Sequence, residues 1–173
     1  MNEVLNCLET RRSVRKYLPK QITDTELDAV LRAGSYAPSG MGRQSPKIVV
    51  LQNPEDIAQL ERMNAAALGK PEAKPFFGAP TVCVVLADAS VSTCVEDGSL
   101  VMGNLMNAAH ALGLGSCWIH RAREEFASEE GKALLKKWGI EGEWIGVGHC
   151  ILGYPDGEPS HAKPRKADYI VKV

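Results

Sequence analysis

Apolar positions recur along this chain with two periods, one helical and one alternating, and the two divide it into helices and strands. Val4, Leu5 and Leu8 share one face of a short helix predicted over residues 2–11, and Pro19 closes that segment. Thr23-Asp24-Thr25-Glu26 reads as a capping box, and Leu27, Val30, Leu31 and Gly34 follow at helical spacing to an end near Gly34. Residues 37–46 hold two glycines and two prolines, so they form a long loop of the kind that often carries function. Lys47–Gln52 reads as a strand. Asn53-Pro54 then supplies an N-cap and a first-turn proline for a helix running to about Leu68. Pro71, Pro75 and Pro80 keep residues 70–80 irregular, with Phe76 and Phe77 destined for the core or for a pocket wall.

The run Thr81–Ala87 is apolar on consecutive positions, the pattern of a strand buried on both faces. The predicted helix Cys94–Leu112 is apolar nearly all round, which suits a core or a subunit interface. Gly98 and Gly103 within it cost about 1 kcal/mol each against alanine, a loss that close helix packing offsets. Leu114–His120 is a short strand. Ser128 caps a helix that ends at Gly139 and buries Leu134, Leu135 and Trp138. Trp144–Leu152 is a glycine-rich strand, residues 153–166 form a second long loop, and Tyr169–Val173 reads as a terminal strand. These elements make an α+β chain of one domain over residues 1–173, with helices on the faces of a sheet. The helices after the first two strands permit parallel crossovers, and strand order stays open.

Composition narrows the function classes. With 173 residues, 45 % hydrophobic and 24 % charged, the chain resembles an ordinary globular protein. A formal net charge of −1 argues against a dedicated nucleic-acid binder. Neither a secretion signal nor a membrane span is expected. Five cysteines, an odd number without a CxxC pair, read as reduced thiols in the cytoplasm.

Against that neutral balance, Arg11-Arg12-Ser13-Val14-Arg15-Lys16 concentrates four cations and a hydroxyl. Guanidinium groups donate paired hydrogen bonds to oxyanions, above all to phosphate. A second basic cluster, Lys163-Pro164-Arg165-Lys166, lies near the other end. Two readings are open: both clusters meet on one phosphate, or they are a solvated helix end and a basic tail.

Other motifs are incomplete. No G-x-G-x-x-G or Walker A sequence occurs. Cys117-x-x-His120 and His149-Cys150 lack the doubled spacing of a zinc site, so no metal is expected. Gly115-Ser116-Cys117-Trp118 matches most of the papain-type sequence around a catalytic cysteine, but Leu114 replaces its first cysteine and Cys117 falls in an apolar strand. The histidines show no paired acid, His110 reads as a core histidine, and Glu124, Glu125, Glu129 and Glu130 read as a solvated face. Phosphate binding without side-chain acid–base machinery suits a protein whose cofactor carries the reaction.

Four motifs in order, Arg11–Tyr17, Ala37-Pro38-Ser39 with Arg43-Gln44, Gly113-Leu114-Gly115 after the apolar helix, and Lys163-Pro164-Arg165, resemble the nitroreductase family of FMN-dependent oxidoreductases over nearly the whole chain. The resemblance implies a three-layer fold, with a mixed, mostly antiparallel sheet between helices. It also implies a homodimer in which the C-terminal strand reaches the partner's sheet. It assigns Arg11, Ser13 and Arg15 to the FMN phosphate and pyrimidine edge, with Arg12 beside them, and Lys163 and Arg165 to the phosphate. Pro38, Ser39, Gly40 and Gln44 would reach the ring from the partner's loop. Trp118, Ile119 and His120 would line the ring edge near N5, with Arg15 and His120 the candidates closest to the chemistry.

The implied activity is hydride transfer from NADH or NADPH to the flavin, then reduction of a nitroaromatic, a quinone or a similar small acceptor in ping-pong order. A flavin-binding sensor or carrier without turnover is the alternative, and a basic-patch interaction module a third reading. The sequence departs from the family pattern at Gly42, where asparagine is usual, at Ser45-Pro46, where the tryptophan after proline is missing, and at His120-Arg121, which stands for a glutamate-glycine pair. The short chain implies an active site without a helical lid.

Overall fold

A computed structural model describes residues 2–173. Side chains set the helix starts. Asn2 accepts from the amides of Val4 and Leu5 ahead of α1 (Glu3–Thr10). Thr23 and Glu26 close their reciprocal box ahead of α2 (Asp24–Ser35). Asn53, with Pro54 behind it, starts α3 (Pro54–Ala67). Ser128 accepts from the Gly131 amide at the start of α6 (Glu129–Lys137). α4 (Cys94–Ala111) is the long apolar helix. A further helix, α5 (Ala122–Ala127), was not expected; it begins without any side-chain cap.

The strands are β1 (Pro46–Leu51), β2 (Thr81–Asp88), β3 (Gly115–Ile119) and β4 (Trp144–Gly153), in the spatial order β1-β2-β4-β3. All three pairings are antiparallel. The stretch after α1 adds one parallel bridge, Ser13 to Ser116, on the outer edge of β3, which makes the sheet mixed but mostly antiparallel. β2 and β3 run the same way with β4 between them, so α4 is a parallel crossover. The crossover permitted after β1 is not used, because β1 and β2 are antiparallel neighbours.

β2 is buried from Thr81 to Ala87, and its side chains alternate between two cores. Val82, Val84 and Leu86 join Leu60 and Met63 of α3, Phe126 of α5 and Leu134 and Leu135 of α6. Cys83, Val85 and Ala87 join Leu27 and Val30 of α2 and Val101, Met102, Leu105 and Ala109 of α4. The result is three layers: helices, sheet, helices. Phe76 is in the first core, while Phe77 is exposed. Trp138 is half-buried against the same core.

Gly98 lets α4 approach β4, since a Cβ there would lie 2.6 Å from Val147 Cγ2. A Cβ on Gly103 would meet nothing within 4 Å among the described residues outside its own helix backbone, so no close approach within one chain requires glycine there. The segment Tyr169–Val173, expected as a terminal strand, pairs with no strand among the described residues of its own chain and lies exposed, with Ile170 and Val171 at 76 % and 77 %. β-branched residues favour a strand only where a neighbouring backbone is within reach.

Candidate functional site

The basic stretch is held from both ends. Thr10 donates to the Asn6 carbonyl, and the Arg11 amide donates to that of Cys7, closing α1. The chain then runs along β3, where the Val14 amide donates to the Ser116 carbonyl at 2.9 Å. Tyr17 is buried and donates its hydroxyl to the Val14 carbonyl at 2.7 Å. Burial, followed by the neighbouring Cys117 and Cys150, pushes that phenol far up, so it stays a donor. Beyond Tyr17 the chain is tied to the segment after β4: Leu18 donates to the Tyr154 carbonyl and the Asp156 amide donates to that of Lys16. A pocket of about 280 Å³ opens between Ser13–Lys16 and residues 156–160.

The cations of this stretch differ. Arg12 is committed to the end of α1, donating to the carbonyls of Glu9 and Arg11. Lys16 pairs with Asp156 at 2.7 Å, and Arg15 is exposed. Arg11 is half-buried, and its Nη1 is fully buried with no hydrogen-bond partner among the described residues. The buried Ser116 hydroxyl on β3, opposite Ser13, also lacks one among the described residues. His110 of α4 accepts no carboxylate partner; its Nε2 lies 2.9 Å from the Thr10 hydroxyl. Burial, then Arg11 and Arg12, lower the pKa of His110 and keep it neutral near pH 7. Lys163 and Arg165 are exposed on the segment that leaves the 280 Å³ pocket.

The 37–46 loop is built around an acid that the sequence reading missed. Asp97, in the first turn of α4, is 3 % exposed. Its Oδ1 accepts from the Gly40 amide at 2.9 Å, and its Oδ2 accepts from the hydroxyls of Ser45 at 2.7 Å and Thr93 at 3.2 Å. Burial alone would raise its pKa, but these three donors together outweigh burial and hold it below the usual 3.8. Ser39 accepts from the Gln44 amide across a single 3₁₀ turn, Gly40–Gly42. Met41, Gly42 and Gln44 take left-handed backbone conformations, φ 55°, 67° and 51°, so glycine at 42 fits the turn where a side chain would add strain. A groove of about 510 Å³ lies beside the loop, with Ser39 and Gln44 on its wall and Ile48 and Val50 of β1 at its floor.

At the far end of β3, Ile119 is buried, Trp118 is half-buried against Gly148, and His120 is exposed. Arg121 follows in a left-handed conformation, φ 80°, directly before α5. Behind this turn sits a second group the sequence reading missed. The Asn64 side chain donates to the His120 carbonyl at 2.7 Å and to Glu125. Glu125 also bonds His149 Nε2 at 2.7 Å, with all three side chains buried. Glu125 therefore leaves the solvated face assigned to it, and His149 has the paired acid that sequence spacing did not reveal. The signal was present: Ala122, Glu125 and Phe126 share one helical stripe, as do Leu60, Met63 and Asn64, so both polar residues occupy core positions.

Apart from Arg12 at the end of α1 and Lys163 and Arg165 on the C-terminal segment, the sequence-predicted residues fall into two groups. Arg11, Ser13, Arg15 and Trp118–His120 all lie along β3. Pro38, Ser39, Gly40 and Gln44 precede β1 on the opposite edge of the sheet. Three strand spacings separate the edges, about 14 Å across, and the loop lies about 20 Å further along the strands than Ser116. One copy of the chain does not bring the two groups together. Among the described residues, no group of three His, Cys, Asp or Glu could hold a metal ion, and no helix is long and apolar enough to cross a membrane.

Comparisons with known proteins agree with this architecture. A curated protein of Archaeoglobus fulgidus, provisionally named an NADH dehydrogenase/NAD(P)H nitroreductase, is 31 % identical over 91 % of this chain and 88 % of its own length. A protein of the same provisional name from Methanothermobacter thermautotrophicus is 32 % identical over 91 % of this chain and 80 % of its own. The crystal structure of an FMN-bound nitroreductase from Bacteroides fragilis superimposes with a TM-score of 0.91 at 31 % identity, covering 100 % of both chains. The model of the nitroreductase family matches residues 8–154, and with relatives this similar over most of its length the chain belongs to that family.

Proposed function

We propose that this chain is an FMN-dependent oxidoreductase that uses NADH or NADPH to reduce a small acceptor, such as a nitroaromatic or a quinone, by ping-pong turnover. The observation that carries this reading is the buried, unpartnered Arg11 Nη1 within a basic stretch laid along β3. A guanidinium N–H removed from water without an acceptor is costly, and a phosphate or ring oxygen would satisfy it. Ser13 of the same stretch and Ser116 bridged to it add hydroxyls, and the donor set is one that suits an anionic, oxygen-rich ligand. These residues fit FMN, which supplies, when bound, the hydride and electron chemistry that the side chains lack.

The chain's own residues bind and orient. Arg11 and Ser13, with Lys163 and Arg165 from the C-terminal segment, hold the phosphate. Arg15 sets a positive charge beside the ring, where it stabilises negative charge that develops on reduction. Trp118, Ile119 and the exposed His120 border the ring's reactive edge. Pro38, Ser39, Gly40 and Gln44 complete the site from a second copy. The placement of the two groups on opposite sheet edges supports a homodimer. So do the apolar side chains one copy leaves exposed: Val4, Leu5 and Leu8 on α1, Leu100 on α4, and Ile170 and Val171. The whole chain acts as one domain, in the cytoplasm, with its terminal segment pairing to the partner's sheet.

The test is a visible spectrum of the protein purified without added cofactor, then anaerobic addition of NADPH and NADH. A yellow protein that bleaches with one donor and recolours with a nitroaromatic supports the reading and names the donor. A colourless protein that gains no flavin spectrum from added FMN refutes it.

A further inference from the structure

We infer that Asn64, Glu125 and His149 are positioning residues for the flavin's reactive edge, acting through the His120-Arg121 turn; this rests on the oxidoreductase reading above. Four elements converge there. Asn64 comes from α3, Glu125 from α5, His149 from β4, and the turn itself ends β3. Asn64 Nδ2 is shared between the His120 carbonyl and Glu125 Oε1, and Glu125 Oε2 meets His149 Nε2. His149 Nδ1 has no partner among the described residues, so the ring's one hydrogen bond is to Glu125. Phe76 and Phe126 close over the imidazole, with centroids at 5.3 and 6.3 Å.

Stability alone explains this arrangement poorly. A carboxyl and an imidazole at the centre of an apolar core are often no better than well-packed hydrocarbon of the same volume. What the group does that hydrocarbon could not is grip a carbonyl of the turn. That turn holds Arg121 at φ 80°, without glycine, directly after the residue assigned to the flavin edge. Such a conformation persists only where its surroundings fix it, and such positions cluster at functional sites. The surroundings are rigid: a Cβ on Gly146 would collide with the Ala122 backbone, and one on Gly131 with the Glu125 carbonyl. α5 is thereby pressed between β4 and α6, and Glu125 cannot drift from His149. The chain of contacts runs from β4 through α5 and α3 to the His120 peptide, fixing where the following amide and the His120 side chain point.

Two variants test the inference, each loaded with FMN. Glu125→Gln keeps the volume and one acceptor for Asn64 but changes the bond to His149. Asn64→Ala removes the grip on the His120 carbonyl. The expected result is FMN affinity within about twofold of wild type, a shifted flavin reduction potential and absorption envelope, and anaerobic reduction by NAD(P)H slower by on the order of tenfold for Asn64→Ala and less for Glu125→Gln. Faster amide hydrogen exchange at Arg121 in the same samples would mark the loosened turn. Variants with lowered melting temperature but wild-type potential, spectrum and reduction rate would overturn the inference and leave a purely structural role. So would failure of both variants to fold. A wild-type protein that binds no FMN refutes the oxidoreductase reading instead, and the two failures are therefore distinct.

Discussion

The two edges of the sheet solve opposite problems. At the β1 edge, the 37–46 loop is satisfied from within: a buried carboxylate, Asp97, collects an amide and two hydroxyls, and the loop's strained backbone hangs from it. At the β3 edge, the Arg11–Lys16 stretch is held mainly by its backbone and by Tyr17; Arg12 caps α1 and Lys16 pairs with Asp156 at the surface, while Arg15 faces outward and the Arg11 Nη1 lies inward without a partner among the described residues. A finished loop presents a fixed surface to another molecule. On the function proposed above, the unfinished donors at the β3 edge are where a ligand's charge would sit, and the loop at the β1 edge supplies shape.

The comparison breaks most visibly at Asp97. Asp97→Ala leaves the buried Ser45 hydroxyl and the Gly40 amide without acceptors, at a cost of about 2–4 kcal/mol. Thermal unfolding without FMN should drop by roughly 5–15 °C. Acid gives the same result in the native sequence. The Asp97 pKa lies below its ordinary 3.8 in the folded chain, so its contribution is complete above pH 3.8 and disappears as the pH falls through the lower folded value. Unfolding measured against pH should therefore lose a slope in that acid range in Asp97→Asn. An unchanged melting temperature in Asp97→Ala would mean that the loop is held by something other than this carboxylate.

Asp97 also marks the limit of what the sequence could say. Helices with explicit caps, at Thr23-Glu26, Asn53-Pro54 and Ser128, were legible because each start is a local hydrogen-bond pattern. β2 was legible because an unbroken apolar run rich in β-branched residues has few other fates. α5 was not, because it is six residues long and starts at an uncapped, left-handed Arg121. Tyr169–Val173 had the composition of a strand but no neighbour within its own chain. Glu125 was misjudged because charge was read as exposure, and Asp97 was not singled out, although both sit on the inward stripes of their helices. The basic clusters and the loop were found as motifs. The placement of the Arg11–Lys16 stretch and the loop on opposite edges follows from the order β1-β2-β4-β3, a tertiary pairing that no local pattern records.

Arg11 tests the other side of the contrast with a different readout. Arg11→Ala removes a buried donor that has nothing to bond, so the stability of the FMN-free protein should change by less than about 1 kcal/mol. FMN affinity should fall roughly ten- to hundred-fold, the worth of a charge-assisted hydrogen bond. Titration of FMN into wild type and variant, beside melting curves of both without FMN, checks the pair of expectations. If the variant lost stability and kept its affinity, Arg11 would belong with Asp97 as an internal strut, and the two edges would no longer differ in kind.

The smallest effect is expected at Lys16. Its pair with Asp156 is short, 2.7 Å, but the side chains are 75 % and 40 % exposed. Exposed pairs of this kind contribute at most about 1 kcal/mol and weaken with salt. The C-terminal segment does not depend on it, because the Asp156 amide bonds the Lys16 carbonyl at 3.0 Å and the Leu18 amide bonds that of Tyr154 at 2.9 Å, and neither bond involves a side chain. Lys16→Ala should therefore shift the melting temperature by no more than about 4 °C, with a double-mutant cycle against Asp156→Ala giving a coupling below about 1 kcal/mol. A larger coupling that survives high salt would show that this edge is held by its charges after all, and Lys16 would then have to be counted with the scaffold.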